Sequence, residues 1–494
     1  MTKTSPSHGR SALRSGLLTG LSYLALSGAG ALAGVYLAHE FGRNDQTDGF
    51  MAAYGVYLVL VLGAQALRMV VVPDLTRAQA EGRLGHETRA YAVSFLIVAV
   101  PVSVVVAAFH GFFGDLITGR LPASSADIAG SALAWLVPAA FLQLLLALSA
   151  SALAARDRYG AAAAGYALAG AFSLVFFVME SDAHGLISLA WGLTLGVALA
   201  LAVLVSDLVR SGVLPGSRAG ALEVRRRLVR VGIGVAVPLA VQGLYVLALR
   251  FAAGTGEGSV TSLSYAYLLA ATFVTTTAFS LALISAAPLT RRAGDPEAAA
   301  DHVVHAAWVS LAIVGAASGV VAVVGGRFIT WALGPDYAGH IGEELGRLVV
   351  YLAPWMVASA AFSIVYPLLF VMHRARLLLP LAAGAILADI PISLVARAWG
   401  GLAGVAVALG ISTLLLDLGL LALLGRRVLV RVVLGVARLS LVVLAAAALA
   451  FGGASLVLAA IPAAAVGVVL YALILAATRQ LGLAAAWRYV RALH

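Results

Sequence analysis

Stretches of about 20 apolar residues recur along the chain, separated by short polar breaks, and each is long enough as a helix to cross a hydrocarbon core of about 30 Å. Inside lipid no water is available to the backbone, so every N–H and C=O must bond within its own segment or in a closed sheet, and apolar runs of this length are helices. Fourteen spans are predicted, at about 17–39, 50–72, 90–110, 131–154, 159–179, 185–205, 228–253, 261–288, 303–324, 348–371, 377–397, 401–424, 436–454 and 457–477. The last two are divided only by the weak break at Gly452 and Gly453. The fold class is therefore an all-α polytopic membrane protein. Of 494 residues, 62% are hydrophobic and 11% charged, against about 25% charged in soluble domains, which leaves too little polar surface for several water-soluble cores. The chain has no cysteine, which excludes disulfides, thiolate metal sites and cysteine nucleophiles.

The 32 basic residues exceed the 22 acidic ones, for a formal charge of +10, and Lys3 is the single lysine. In a polytopic protein such an excess marks the cytoplasmic loops. With the N-terminus inside, Arg77, Arg83, Arg89, Arg156, Arg158 and the cluster Arg225, Arg226 and Arg227 fall on one side, while the other side keeps little beyond Arg43, Arg120, Arg327, Arg347 and Arg397. That asymmetry predicts an even number of spans with both termini cytoplasmic. No basic, aromatic-interleaved soluble domain is present to bind nucleic acid. The first apolar run is longer than the core of a signal peptide and lacks a small-residue cleavage site, so it is expected to remain as the first helix.

The organisation read from these breaks is a cytoplasmic segment at 1–16, a first six-helix lobe at 17–205, a basic linker at 206–227, a second six-helix lobe at 228–424, a final helix pair at 436–477 and a tail at 478–494. Two related bundles with a site near the bilayer midplane are the layout of a transporter.

An ionisable residue inside a span costs about 2.5–3.5 kcal/mol on insertion scales, so each is a functional candidate. Arg68 lies about a turn from the cytoplasmic end of the second span, with Gln65 a turn earlier on nearly the same face. It can bind a phosphate or snorkel to the interface. Arg250 sits late in the seventh span, where it can grip an anionic head group or anchor the helix. Asp389 is the deepest charge, followed by Pro391, whose ring frees a backbone carbonyl. A carboxylate beside such a carbonyl can hold Na⁺ or carry a proton; the alternative is a buried pair with Arg397 or with the neighbourhood of Asp417. Asp417 is a second ion-coupling candidate, nearer the cytoplasmic side. Asp48, in the outer cluster with Glu40, Arg43 and Asp45, can bind substrate, but an N-cap of the second helix is the reading its position favours. Thr275, Thr276 and Thr277 can line a polar cavity. His302 and His305 stand three apart without a third ligand, so no metal site is expected.

No nucleophile elbow and no GxxxxGK occur, so the chain is not read as an enzyme and does not hydrolyse ATP itself. No cofactor is expected beyond a coupling Na⁺ or H⁺, and energy must come from an ion gradient, the membrane potential or the substrate gradient.

The segment Phe41, Gly42, Thr47, Asp48, Gly49, Phe50, continuing to Val72 and Pro73, resembles the "FG…TDAF…VP" stretch that follows the first helix of MurJ-type (MviN) lipid II flippases. Gly258, Ser259 and Val260 with Tyr265 and Ala266, continuing to Pro288, are similar to the "GSV…YA…LP" stretch that begins that family's second half. The resemblance implies membership of the multidrug/oligosaccharidyl-lipid/polysaccharide (MOP) exporter superfamily. It implies two lobes alternating between inward-open and outward-open states, a hydrophilic cavity for a lipid-linked sugar head group, and a groove at 436–477 for a polyprenyl tail. Two departures stand out: the first helix carries no arginine, and the acid and arginine that follow "YA" in the family are Tyr267 and Leu268 here. The expected cargo is thus an undecaprenyl-linked envelope glycan precursor, lipid II or a related intermediate. A cation-coupled multidrug exporter of the same superfamily and a non-transporting scaffold for envelope-synthesis proteins are the alternatives.

Overall fold

The computed structural model describes residues 26, 28–156, 158–213, 223–274, 296–371 and 377–478, apart from some side chains within its helices. Among the described residues the predicted spans fall on helix, while 17–25 of the first span and 275–288 of the eighth lie outside the described residues. In chain order the helices are α1 (28–41), α2 (Asp45–Ala80), α3 (Leu84–Ala108), the short α4 (His110–Thr118), α5 (Ala123–Ala154), α6 (Gly160–His184), α7 (Ile187–Arg210) and α8 (Val224–Ala252). They continue as α9 (Ser259–Val274), α10 (Pro296–Leu333), α11 (His340–Tyr351), α12 (Ala353–Val371), α13 (Leu378–Leu424), α14 (Arg426–Ser455) and α15 (Ala460–Ala477). Among the described residues, 10 stretches are long and apolar enough to cross a membrane, and α9 is a shorter apolar helix.

The 47 residues of α13 hold two of the predicted spans, because Gly401 interrupts the helix at φ 55° and ψ −133°. Only glycine adopts such a backbone without strain. The chain reverses there: Gly404 packs so tightly on the carbonyl of Ala396 that a Cβ would overlap it. The two halves of α13 form an antiparallel hairpin.

Several boundaries differ from the sequence reading, each for a local reason. Helix α2 begins at Asp45 and is capped by Asn44, whose side chain accepts from the amides of Gln46 and Thr47, while Thr47 Oγ1 accepts from the Asn44 amide. Asn44 supplies the reciprocal capping box, so Asp48 is not the cap; it sits a turn inside the helix and is fully buried. Helix α8 starts at Val224, which places Arg225, Arg226, Arg227 and Arg230 in its first turns instead of in the linker. Arg327 and Arg347, read as outer-loop residues, lie on α10 and α11.

The chain forms two compact units, Met1–Gln242 and Gly243–His494. In the first, α5 packs along α2, α7, α4 and α3, and α6 lies against α7. Gly49 lets α2 approach the backbone of Ser125 at the start of α5, and Ser125 Oγ closes that approach with a 2.6 Å bond to the Asp45 carbonyl. In the second unit α10 is central, packing on α11, α12, α14 and α15, and α12 lies along α13. Phe451, in the single π turn Ala448–Gly452 of α14, presses on Gly319 of α10 and Gly467 of α15. The outward faces stay apolar: Leu441, Leu444 and Leu456 are 69%, 65% and 87% exposed, a surface suited to lipid.

Candidate functional site

The hairpin of α13 brings three polar residues together in its interior. Asp389 on the first half is 1% exposed, and its Oδ1 accepts from Ser412 Oγ on the second half at 2.6 Å and from Ser393 Oγ, one turn onward, at 3.2 Å. Its Oδ2 is shielded from solvent and has no hydrogen-bond partner. Two donors on one oxygen and none on the other leave a carboxylate with an open coordination position. Pro391, two residues on, withholds the amide that the Leu387 carbonyl would otherwise accept. Asp389 does not pair with Arg397, whose guanidinium instead covers Gly254 after the end of α8. Its partner across the hairpin is a serine, placed by the reversal at Gly401.

Asp417 lies further along the second half of α13, 4% exposed, and neither carboxylate oxygen has a hydrogen-bond partner. An ionised carboxylate without counter-charge or donor is costly in apolar surroundings, and no acid elsewhere among the described residues leaves both of its oxygens buried and unbonded.

In the first unit, Arg68 is half-buried on α2 and reaches Tyr166 on α6, with its Nη2 3.4 Å from the phenol oxygen and its Cζ 5.8 Å from the ring centroid. The long bond and the ring face help to orient the guanidinium. The side chain of Gln65 lies outside the described residues, as do Thr275, Thr276 and Thr277. Asp48 lies buried one turn above the capping box, at the positive end of the α2 dipole, where a carboxylate is favoured. Arg250, in the second unit, is exposed in the last turn of α8 and pairs with no acid among the described residues. Arg68 and Arg250 are thus each placed within their own unit.

One charged assembly escaped the sequence reading. Arg227, 9% exposed in the first turn of α8, makes a bidentate pair with Glu87 on α3, Nε to Oε1 at 3.1 Å and Nη2 to Oε2 at 2.8 Å. Its guanidinium also lies over the Tyr91 ring at 5.5 Å. Tyr91 in turn donates to Asp74 Oδ2 at 2.7 Å, and Arg230 Nη1 donates to the same oxygen at 2.5 Å. Three helices, α2, α3 and α8, are therefore clasped at one end by five side chains. The only sequence hint was the density of arginine at 225–230, because Glu87 is 140 residues away from its partner.

Long apolar helices in two units, with buried carboxylates in one and a half-buried arginine in the other, make this an all-α polytopic membrane protein. No family model matches the chain, and no curated protein matches it in sequence. Solved structures do match in fold. The lipid II flippase MurJ in its inward closed conformation superposes with a TM-score of 0.73 at 14% identity, covering 94% of this chain and 99% of that one. An inward-facing multidrug resistance MATE family transporter of the MOP superfamily matches with 0.63 at 14% identity, over 84% of this chain and 94% of that one. A variant of the Vibrio cholerae MATE transporter VcmN matches with 0.54 at 13% identity, over 84% and 97%. The chain shares the fold of these solved structures.

Proposed function

We propose that this protein moves an undecaprenyl-linked envelope glycan precursor from the inner to the outer leaflet of the bacterial cytoplasmic membrane by alternating access, with both termini cytoplasmic. The observation that carries this reading is the extent of the fold match. The flippase structure covers 94% of the chain and 99% of its own length, and the MATE transporters cover 84–87% of the chain. A cargo with a polar head and a long apolar tail needs a polar path and a lipid-facing groove together, and the apolar outer face of the α14–α15 hairpin at 426–477 supports the groove.

In this scheme Arg68 and Arg250 are anion-binding residues for the diphosphate of the head group, through charge-assisted hydrogen bonds, with Gln65 and Asp48 on α2 as further substrate-binding residues. Asp389 couples transport to a cation. Its free Oδ2 offers the site, and the two serine hydroxyls on Oδ1 fix the orientation of the carboxylate. Asp417 serves as a second station for a proton or cation on the cytoplasmic side. The two buried acids also favour a second reading, a cation-coupled drug exporter, which a drug-resistance profile of a deletion strain separates from the first.

The test is depletion of the protein in its native host, followed by mass spectrometry of the lipid-linked intermediates of each leaflet. Accumulation of one undecaprenyl-linked species on the cytoplasmic side is the expected result. Normal envelope growth with unchanged intermediates overturns the proposal.

A further inference from the structure

A cavity of about 860 Å³ in the second unit plays no part in the cycle above. It opens between the last turns of α10, the helix α11 and the first residue of α15. Glycines bring its two walls together: a Cβ on Gly325 would stand 3.3 Å from the Gly346 Cα, and one on Gly326 would stand 3.2 Å from the Glu343 Cγ. With the backbones that close, the larger side chains on either flank point away from the seam and line a trough.

Two of those side chains are cationic. Arg327 from α10 and Arg347 from α11 both line the cavity and are exposed, and neither forms an ion pair among the described residues. The register set by the glycines separates them along the helix axes by only about 6–7 Å, at 1.5 Å per residue. Glu343 also lines the cavity, pairs with neither arginine and leaves a lining charge of +1. The first turn of α15 adds its positive helix end at Ala460, with no side-chain cap on Ala459.

The surroundings are those of a membrane interface. Trp331 and Tyr351, both in the lining, are 78% and 41% exposed, and such amphipathic rings gather at the headgroup level. Around Ala460, Leu456, Val457 and Ile461 are 87%, 83% and 65% exposed, a surface fit for acyl chains. Two free guanidiniums above an apolar skirt match a phosphodiester that carries two such chains, and the +1 lining matches a single negative charge.

We propose that this cavity binds the headgroup of an anionic phospholipid, held by Arg327 and Arg347. The orientation proposed above would put this cavity on the outer side of the membrane; the binding itself does not rest on that orientation. The full-length protein, purified in neutral detergent, is titrated with phosphatidylglycerol or phosphatidylcholine and bound lipid is counted by native mass spectrometry. The wild type is expected to retain one phosphatidylglycerol that Arg327→Gln/Arg347→Gln binds roughly thirtyfold more weakly, the factor that two surface arginines supply. Each single substitution is expected to show a partial loss, and Arg426→Gln/Arg427→Gln none. Equal retention of phosphatidylglycerol by the double variant, equal retention of phosphatidylcholine, or displacement of the lipid by equimolar inorganic phosphate would each overturn the proposal. Because no translocation is measured, a failure here is distinct from a failure of the flippase reading.

Discussion

Glu87→Ala leaves Arg227 in place but removes the carboxylate of its bidentate pair from a side chain only 11% exposed to solvent. Breaking a buried pair from one side costs about 3–5 kcal/mol, because the remaining charge is desolvated without compensation. The two side chains here are 11% and 14% exposed, so water screens part of the loss and about 2–3 kcal/mol is expected. Removing both partners is different: Glu87→Ala/Arg227→Met deletes the charge along with its counter-charge and keeps apolar volume over the Tyr91 ring, so its cost stays within about 1 kcal/mol. Thermal unfolding of the detergent-purified protein reads the difference. At roughly 2–4 °C per kcal/mol for a unit of about this size, the single variant should melt roughly 4–12 °C below the wild type and the double variant within roughly 4 °C of it. Equal midpoints for the single and double variants would refute the reasoning, since the penalty would then not come from an unpaired charge.

Asp417→Leu should raise the melting midpoint, by an amount equivalent to about 1–3 kcal/mol, because it removes two unbonded buried oxygens, and should abolish cation-dependent transport; a lowered midpoint would count against the assignment. Gly401→Ala forces a Cβ onto a backbone at φ 55° and should cost about 1–3 kcal/mol, seen as a lower midpoint without loss of helix by circular dichroism. Arg68→Gln should leave the midpoint within about 2 °C, given that its bond to Tyr166 is long at 3.4 Å, while reducing transport at least tenfold; full complementation by this variant would remove Arg68 from the site.

The apolar spans were legible, with 10 stretches among the described residues long and apolar enough to cross a membrane, because hydrophobicity over a 20-residue window depends on nothing outside the window. Boundaries governed by one polar residue were less so. The start of α2 was placed at its first apolar residues, Gly49 and Phe50, whereas the cap is Asn44, whose reciprocal bonds with Thr47 begin the helix earlier. Asp389 was legible as a deep charge. Ser412 was not, because its place opposite Asp389 depends on where the hairpin turns, and that is decided by the positive φ of Gly401. The clasp of Arg227 with Glu87 and the trough between Arg327 and Arg347 both arise from helix packing, about which a run of arginines or glycines carries no register.

The most direct test of the central claim is reconstitution of the purified chain alone into liposomes whose inner leaflet is loaded with a labelled undecaprenyl-linked disaccharide precursor. Exposure of the label to an external probe is followed with and without a cation gradient. The account predicts exposure above that of protein-free liposomes, dependent on the gradient and lost in Arg68→Gln/Arg250→Gln and in Asp389→Asn. Exposure no faster than in protein-free liposomes under either gradient, from protein that is folded and correctly inserted, would contradict it.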